Sequence, residues 1–277
     1  MSQPRDIRSQ FMGYSYQVDV LIGIVVPTMG TRSEMLIQCL RSIRGAGSCL
    51  IAIVAPDRGG ILEQVDASLF DLFVPDPNCG LAAAIDNGIR ALPENILFVN
   101  WLGDDDLLID NSLNKTCEVL KNDPDSVLVY GGCDYIDENG EFLWTNRSGT
   151  FAAFLLRFGP QLIPQPGALI RRDAYMAIGG LNTSFKWAFD LDLFIRLKRF
   201  GKLTFLNTTL AKFRWHEGSL SVGGRNGSVH EASEIRRNSL NPILRLFSPI
   251  WELPLRRIIL NAGKIVTKRT TSTTKMI

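Results

Sequence analysis

Three consecutive aspartates, Asp104, Asp105 and Asp106, stand directly after an apolar run in ILFVNWLGDDDLL. Adjacent carboxylates repel one another. Holding three at the end of a buried strand is costly unless a cation neutralises them. A hard divalent ion such as Mg²⁺ or Mn²⁺ takes oxygen ligands and commonly bridges protein carboxylates to a substrate diphosphate. A solvated turn with an Asp helix cap is the plainer reading of the same letters. The chain has only two histidines, His216 and His230, which argues against a multi-histidine metal centre. Its five cysteines form no CxxC pair, and four of them lie among apolar or small residues. They read as buried thiols in a reducing compartment, not as a disulfide frame or a zinc site.

The elements that must position these carboxylates follow from periodicity. Val18 to Val26 is a continuous apolar, β-branched run ended by Pro27, which suits a strand buried on both faces. Thr31-Arg32-Ser33-Glu34 reads as a capping box opening a helix with Met35, Leu36, Cys39, Leu40 and Ile43 on its apolar face. Leu50 to Val54 and Phe70 to Val74 are two more strands. Leu81, Ala84, Ile85, Gly88, Ile89 and Leu92 repeat at helical spacing, and Asn95 to Leu102 is the strand that delivers the aspartates. A helix capped by Asp110 or Asn111 and a strand from Ser126 to Tyr130 follow. Strands alternating with helices imply a mostly parallel sheet with helices on both faces. In such sheets ligands bind beyond the carboxyl ends of the strands. Pro27-Thr28, Pro56-Asp57-Arg58 and the aspartate triplet all fall at such ends and should converge on one crevice.

The second half is less regular. Gly131 to Trp144 reads as a loop and hairpin turning at Glu138-Asn139-Gly140. Phe151 to Phe158 suits a short helix, Asp190 to Phe200 a longer one, and Leu203 to Phe213 an edge or return strand. Residues 217–233, rich in Gly, Ser and Asn, read as a mobile loop. The domain expectation is a lead-in over 1–17, one α/β domain over 18–239 divided near residue 130, and a tail over 240–277. With 277 residues, 45% hydrophobic and 21% charged, the composition is that of an ordinary globular protein. The formal net charge of +2 decides nothing about nucleic acid. No apolar run is long enough to span a bilayer. The tail mixes Leu, Ile, Phe and Trp with Arg and Lys. It reads either as a peripheral anchor on an anionic bilayer or as helices packed on the domain with a basic end.

Taken in order, the blocks IGIVVPTMGTR, IVAPDRG, NCGLAAAIDNGI, WLGDDDLL, VLVYGGCDYIDENGE, RRDAYMAIGGLNTSFKWAFDLDLFIRLKRFG and FRWHEGSLS resemble the family 2 glycosyltransferases over about residues 18–221. The resemblance implies a GT-A fold: a Rossmann-like, mostly parallel central sheet flanked by helices, with a nucleotide-sugar half (18–130) and an acceptor-side α+β half (131–239). It implies a nucleoside diphosphate sugar donor contacted by Pro27, Thr28, Asp57, Asp86 and Asp104. It implies a divalent cation (Mn or Mg) held by Asp105, Asp106 and His216, acting as a Lewis acid on the leaving diphosphate. It places the general base at Asp190, where a helix N-terminus favours the ionised carboxylate that a base needs. Asp192 lies about 200° further around the helix, so both cannot face one hydroxyl. Asp192 and Trp187 are assigned instead to the acceptor. The chain departs from the family's pattern at Pro56, Arg58, Gly103 and Phe189, where Asp, Gly, Asp and Glu are usual.

The expected activity is a metal-dependent, inverting transfer of a sugar to a carbohydrate or lipid-linked acceptor in polysaccharide or glycolipid assembly. No nucleic-acid partner is expected. The expected location is cytoplasmic, at the inner face of the membrane if the tail binds lipid. Two other classes stay open. A sugar-phosphate nucleotidyltransferase would normally show a Gly-rich basic loop where this chain has PTMGTRSE. A non-catalytic binding module of the same fold is the other.

Overall fold

The computed structural model describes residues 20–147, 149–216, 225–252, 254 and 257. Strand β1 (Ile22–Pro27) is buried at every position, as its unbroken apolar run requires. Helix α1 (Ser33–Ala46) follows, then β2 (Leu50–Ala55), the short α2 (Arg58–Gln64) and β3 (Leu72–Pro75). Helix α3 (Leu81–Ala91) leads to β4 (Phe98–Trp101) and the two-residue β5 (Leu107–Leu108). Next come α4 (Ser112–Asn122), the long β6 (Ser126–Ile136) and its hairpin partner β7 (Phe142–Asn146). The chain continues through α5 (Phe151–Leu155), β8 (Leu169–Arg171), α6 (Arg172–Ala177), α7 (Phe189–Leu197) and β9 (Lys202–Arg214). It ends in α8 (Arg225–Ser239) and α9 (Pro242–Phe247).

The strands form one nine-stranded sheet in the order β3-β2-β1-β4-β8-β6-β9-β5, with β7 on β6. Strands β3, β2, β1 and β4 pair in parallel, as do β6 and β9, while β8 runs against both of its neighbours. Two apolar clusters form the core, and each contains alternate residues of β1 and β2. Side chains of successive strand residues point to opposite faces, so the sheet is covered on both sides. Helix α3 approaches closely because Gly88 has no side chain: a Cβ there would lie 2.6 Å from Val25 Cγ1 and 2.7 Å from Val54 Cγ2.

Several sequence expectations shift. The expected capping box is not formed. Helix α1 begins after Arg32 with no side-chain cap, since a guanidinium has no acceptor to offer a backbone N–H. The strand expected over Ser126–Tyr130 runs on to Ile136 before turning back, so Gly131 and Gly132 lie inside it. Here β9 shifts register beside β6, and a Cβ at Gly131 would lie 2.5 Å from the Thr208 carbonyl oxygen. Strand β9 is not at the edge; it lies between β6 and β5. Residues 225–233 of the expected mobile loop are the first part of α8, and residues 217–224 lie outside the described residues.

Candidate active site

A cavity of about 950 Å³ opens beyond the carboxyl ends of the parallel strands. Pro27 and Thr28 at the end of β1, Asp76 and Asn78 after β3, and Asp104–Asp106 after β4 line one side. Gln161–Pro166, Lys186, Trp187, Asp190, Tyr135 and Trp215 line the other.

The triplet is held from several directions. Thr28 Oγ1 donates to Asp104 Oδ2 at 2.6 Å. Arg32 reaches from the start of α1 and spans two carboxylates: Nη2 is 2.5 Å from Asp104 Oδ1 and Nη1 is 2.7 Å from Asp105 Oδ2. His216 Nε2 lies 2.8 Å from the same Asp105 oxygen and 3.2 Å from Arg32 Nη1. Nε2 thus faces both a carboxylate, which only accepts, and a guanidinium, which only donates, and the ring tautomer decides which of the two it bonds. Arg32 sets a positive charge against two of the three carboxylates. Arg32 was not singled out in the sequence because its partners are 72 and 73 residues away.

Asp106 is turned inward. Its Oδ1 accepts the Arg214 backbone N–H at 2.9 Å. The Arg214 guanidinium is buried and donates to the Asp105 and Glu138 carbonyls and to Gln38 Oε1. Asp106 thus ties the aspartate turn to β9, and it caps no helix. Burial pushes its carboxyl well above the usual range, and the Asp105 charge adds to that push. Burial also raises Asp104, against the Thr28 and Arg32 contacts. Gly103 stands where the resemblance would put a first Asp. A Cβ there would lie 2.8 Å from Asp105 Oδ1, so the carboxylates fold over the space a side chain would need.

Asp105 Oδ2 and His216 Nε2 fit as two ligands of one ion, since their 2.8 Å separation is near that between adjacent ligands at bond lengths of about 2.1 Å. Asp106 has one of its two oxygens committed to the Arg214 N–H. Among the described residues no group of three or more His, Cys, Asp or Glu converges as a metal cage. Mg²⁺-type ions commonly keep only one or two protein carboxylates and complete their shell with water and substrate phosphates.

Asp190 is the second residue of α7, and its Oδ1 accepts the Leu191 N–H at 2.8 Å. Burial raises its pKa, opposed by the Leu191 N–H and the Gln161 amide. Phe189, where the family has Glu, is buried and packs against Trp101 with ring centroids 6.1 Å apart. It anchors α7 to β4. The segment before Asp190 is pinned from α8: Glu231 accepts the N–H groups of Lys186, Trp187 and Ala188 at 2.9, 2.7 and 2.9 Å. Ala188 is the N-cap of α7, so its N–H is a donor the helix start leaves unpaired. The pin lies in the stretch expected to be a mobile loop, so no sequence signal exposed it. Lys186 Nζ stands 5.0 Å from the centre of the Trp187 ring. Tyr135, Phe213 and Trp215 complete an aromatic wall, backed by Trp144 stacked on Tyr135 at 4.4 Å.

Three predicted residues lie outside this cavity. Asp57 caps α2, its two oxygens accepting the Gly59 and Gly60 N–H groups at 2.9 and 3.1 Å. Asp86 binds Arg90 and the Tyr175 hydroxyl and faces the Leu181 N–H, fastening α3 to the Gly179-Gly180 turn. Asp192 pairs with Arg196 one helical turn on, and Arg196 continues to the Ile178 and Gly180 carbonyls. The cavity also takes Asp76 and Gln161, neither of which has a motif to mark it, and Tyr135.

No family profile matches the chain. It is 27% identical over 221 residues to an uncharacterised glycosyltransferase of Rickettsia felis, covering 74% of this chain. It is 25% identical over 221 residues to another from Rickettsia conorii, again covering 74%. The chain spans 36% of the length of each of these curated relatives. Among solved structures it superimposes on a mannosyltransferase from Pyrobaculum calidifontis, in complex with GDP-Man and Mn²⁺, with a TM-score of 0.61 and 14% identity. That match covers 92% of this chain and 80% of the other. It also superimposes on residues 1–349 of S. aureus TarS in complex with UDP-GlcNAc, with a TM-score of 0.58 and 12% identity, covering 79% and 65%. The chain thus has a GT-A-like fold, shared with glycosyltransferases of solved structure, and its sequence relatives carry the same name.

Proposed function

We propose that this chain transfers a sugar from a nucleoside diphosphate sugar to an acceptor hydroxyl. One observation carries the reading. A cluster suited to a diphosphate (Thr28, Arg32, Asp104, Asp105, His216) and a half-buried carboxylate suited to proton abstraction (Asp190) line a single cavity. The donors seen in the two solved neighbours are of this class, which supports it.

Asp76 and Asn78 lie at the donor end and would meet the nucleoside. Asp105 and His216, with Asp104 beside them, would hold a divalent cation, which when bound would supply charge that offsets the leaving diphosphate. Arg32 is the chain's own cation at the same place. Asp190 accepts the proton of the acceptor hydroxyl, its raised pKa making it a stronger base than a solvated carboxylate. The hydroxyl oxygen attacks the anomeric carbon as the bond to the diphosphate breaks, an in-line geometry that inverts the anomeric centre. The aromatic wall of Tyr135, Phe213 and Trp215 offers ring faces to the C–H faces of a sugar acceptor.

Incubation with UDP-, GDP- and dTDP-sugars, with and without Mn²⁺, tests the proposal. Metal-dependent release of a nucleoside diphosphate in the presence of acceptor sugars is expected. Asp105→Asn should lose the metal dependence of donor binding. Pyrophosphate release from a nucleoside triphosphate and a sugar phosphate would overturn the reading, as would failure to bind any of these donors.

A further inference from the structure

Away from the cavity, α5 and α9 carry an apolar surface that the core leaves uncovered. Phe151 and Phe154 are 73% and 63% exposed, and Ile243 and Leu246 are 70% and 76% exposed. The residues that follow the two elements meet. The Phe154 and Phe158 rings lie 6.4 Å apart, and Phe158 meets Trp251 edge-on at 6.1 Å. Large apolar side chains left exposed on neighbouring elements mark a contact with another apolar phase.

The rim of this patch is cationic. Lys198 Nζ donates to the Ala153 carbonyl on α5 at 2.5 Å, Arg199 is its exposed neighbour, and Arg245 stands on α9 itself. Arg157 Nε is buried without a partner. Among the described residues, none of these four cations is paired with a carboxylate. Arg157 also lowers the Lys198 pKa, an effect added to that of burial. The sequence from Arg256 to Lys275 adds six basic residues and no acidic one. A second copy of the face, or this basic segment folded over it, would set cation against cation. Phosphate headgroups above hydrocarbon match both features at once.

We propose that the α5–α9 face docks on the surface of an anionic phospholipid bilayer. The position of the patch gives docking a consequence for the site. Phe158 is three residues before Gln161, which stands beside Asp190, so the acceptor end of the cavity lies within about 10 Å of chain from the patch. Resting on the proposed transfer reaction, this orientation suits an acceptor carried on a lipid.

Vesicle flotation of the full chain, with no nucleotide sugar present, tests the docking. The chain should float with vesicles containing phosphatidylglycerol, not with pure phosphatidylcholine, and less so at high salt. The double variant Phe154→Glu, Leu246→Glu should bind about tenfold more weakly or worse. Both side chains are already exposed, so its thermal unfolding should match that of the wild type. Leu62→Glu, on α2 and 43% exposed, should float like the wild type. Equal flotation of the wild type and the double variant would overturn the proposal. So would indifference to anionic lipid, or a patch-dependent dimer that ignores vesicles. A chain that floats as expected but never releases a nucleoside diphosphate would overturn the transfer reading and leave the docking in place.

Discussion

Removing Arg32 probes how the aspartate cluster is neutralised. Its guanidinium donates to Asp104 and Asp105, whose side chains are 5% and 12% exposed, while Arg32 itself is 35% exposed. Breaking a fully buried pair from one side costs about 3–5 kcal/mol, and a solvent-exposed pair is worth about 0–1 kcal/mol. With buried carboxylates and a guanidinium one-third in water, Arg32→Ala should cost about 2 kcal/mol. For a domain of this size that is a fall in Tm of roughly 4–8 °C. Arg32→Lys should recover about half, because an ammonium is a point charge and cannot span both carboxylates. The assay is thermal unfolding in EDTA and again in Mn²⁺. If Arg32 and a divalent ion use the same oxygens, Mn²⁺ should raise the Tm of Arg32→Ala more than that of the wild type. The reasoning fails if Arg32→Ala unfolds at the wild-type temperature in EDTA, or if Mn²⁺ stabilises both proteins equally.

Asp190→Asn should reduce transfer by about 10²–10⁴-fold while donor affinity measured by calorimetry stays constant. In the wild type, the acid limb of the pH–rate profile should lie above the ordinary carboxylate range, because burial raises Asp190. Asp106→Asn should raise Tm at pH 7, since Oδ1 of the amide can still accept the Arg214 N–H without a buried charge. The sign follows from the direction of the shift. A folded-state pKa above the unfolded value contributes stability that is full below the unfolded pKa and is lost as pH rises through the folded one. The advantage of the Asn variant should therefore shrink towards pH 4 and below, where Asp106 is protonated in both states. Asp86→Ala should lower Tm by breaking the α3 fastening to Tyr175 and Arg90, with donor KM unchanged in the folded fraction. A selective rise in donor KM would return Asp86 to the donor site.

Period and composition made the parallel half of the sheet legible. Runs such as IGIVVP and LIAIVA can only be strands covered on both faces, and they end where a ligand site in such a sheet must open. The strand ends point Thr28, Asp57 and the aspartate triplet to one crevice, and the family resemblance adds Asp190 and His216; Asp57 instead caps α2. What was not legible is which partner each polar group takes. Asp57, Asp86 and Asp192 have the same side chain as Asp104 and Asp105. Only the tertiary structure commits the first three to a cap, a Tyr–Arg fastening and a helix-surface ion pair, and turns Asp106 onto Arg214. Arg32 and Glu231 escaped notice for the same reason: their partners lie 72 and 43–45 residues away along the chain. The sequence by itself determined the parallel strands β1 to β4, helices α1 and α3, and the crowding of negative charge at one strand end, because these follow from local spacing. The tertiary structure alone decided what neutralises that charge, because hydrogen bonds and ion pairs depend on separations in space that local spacing does not encode.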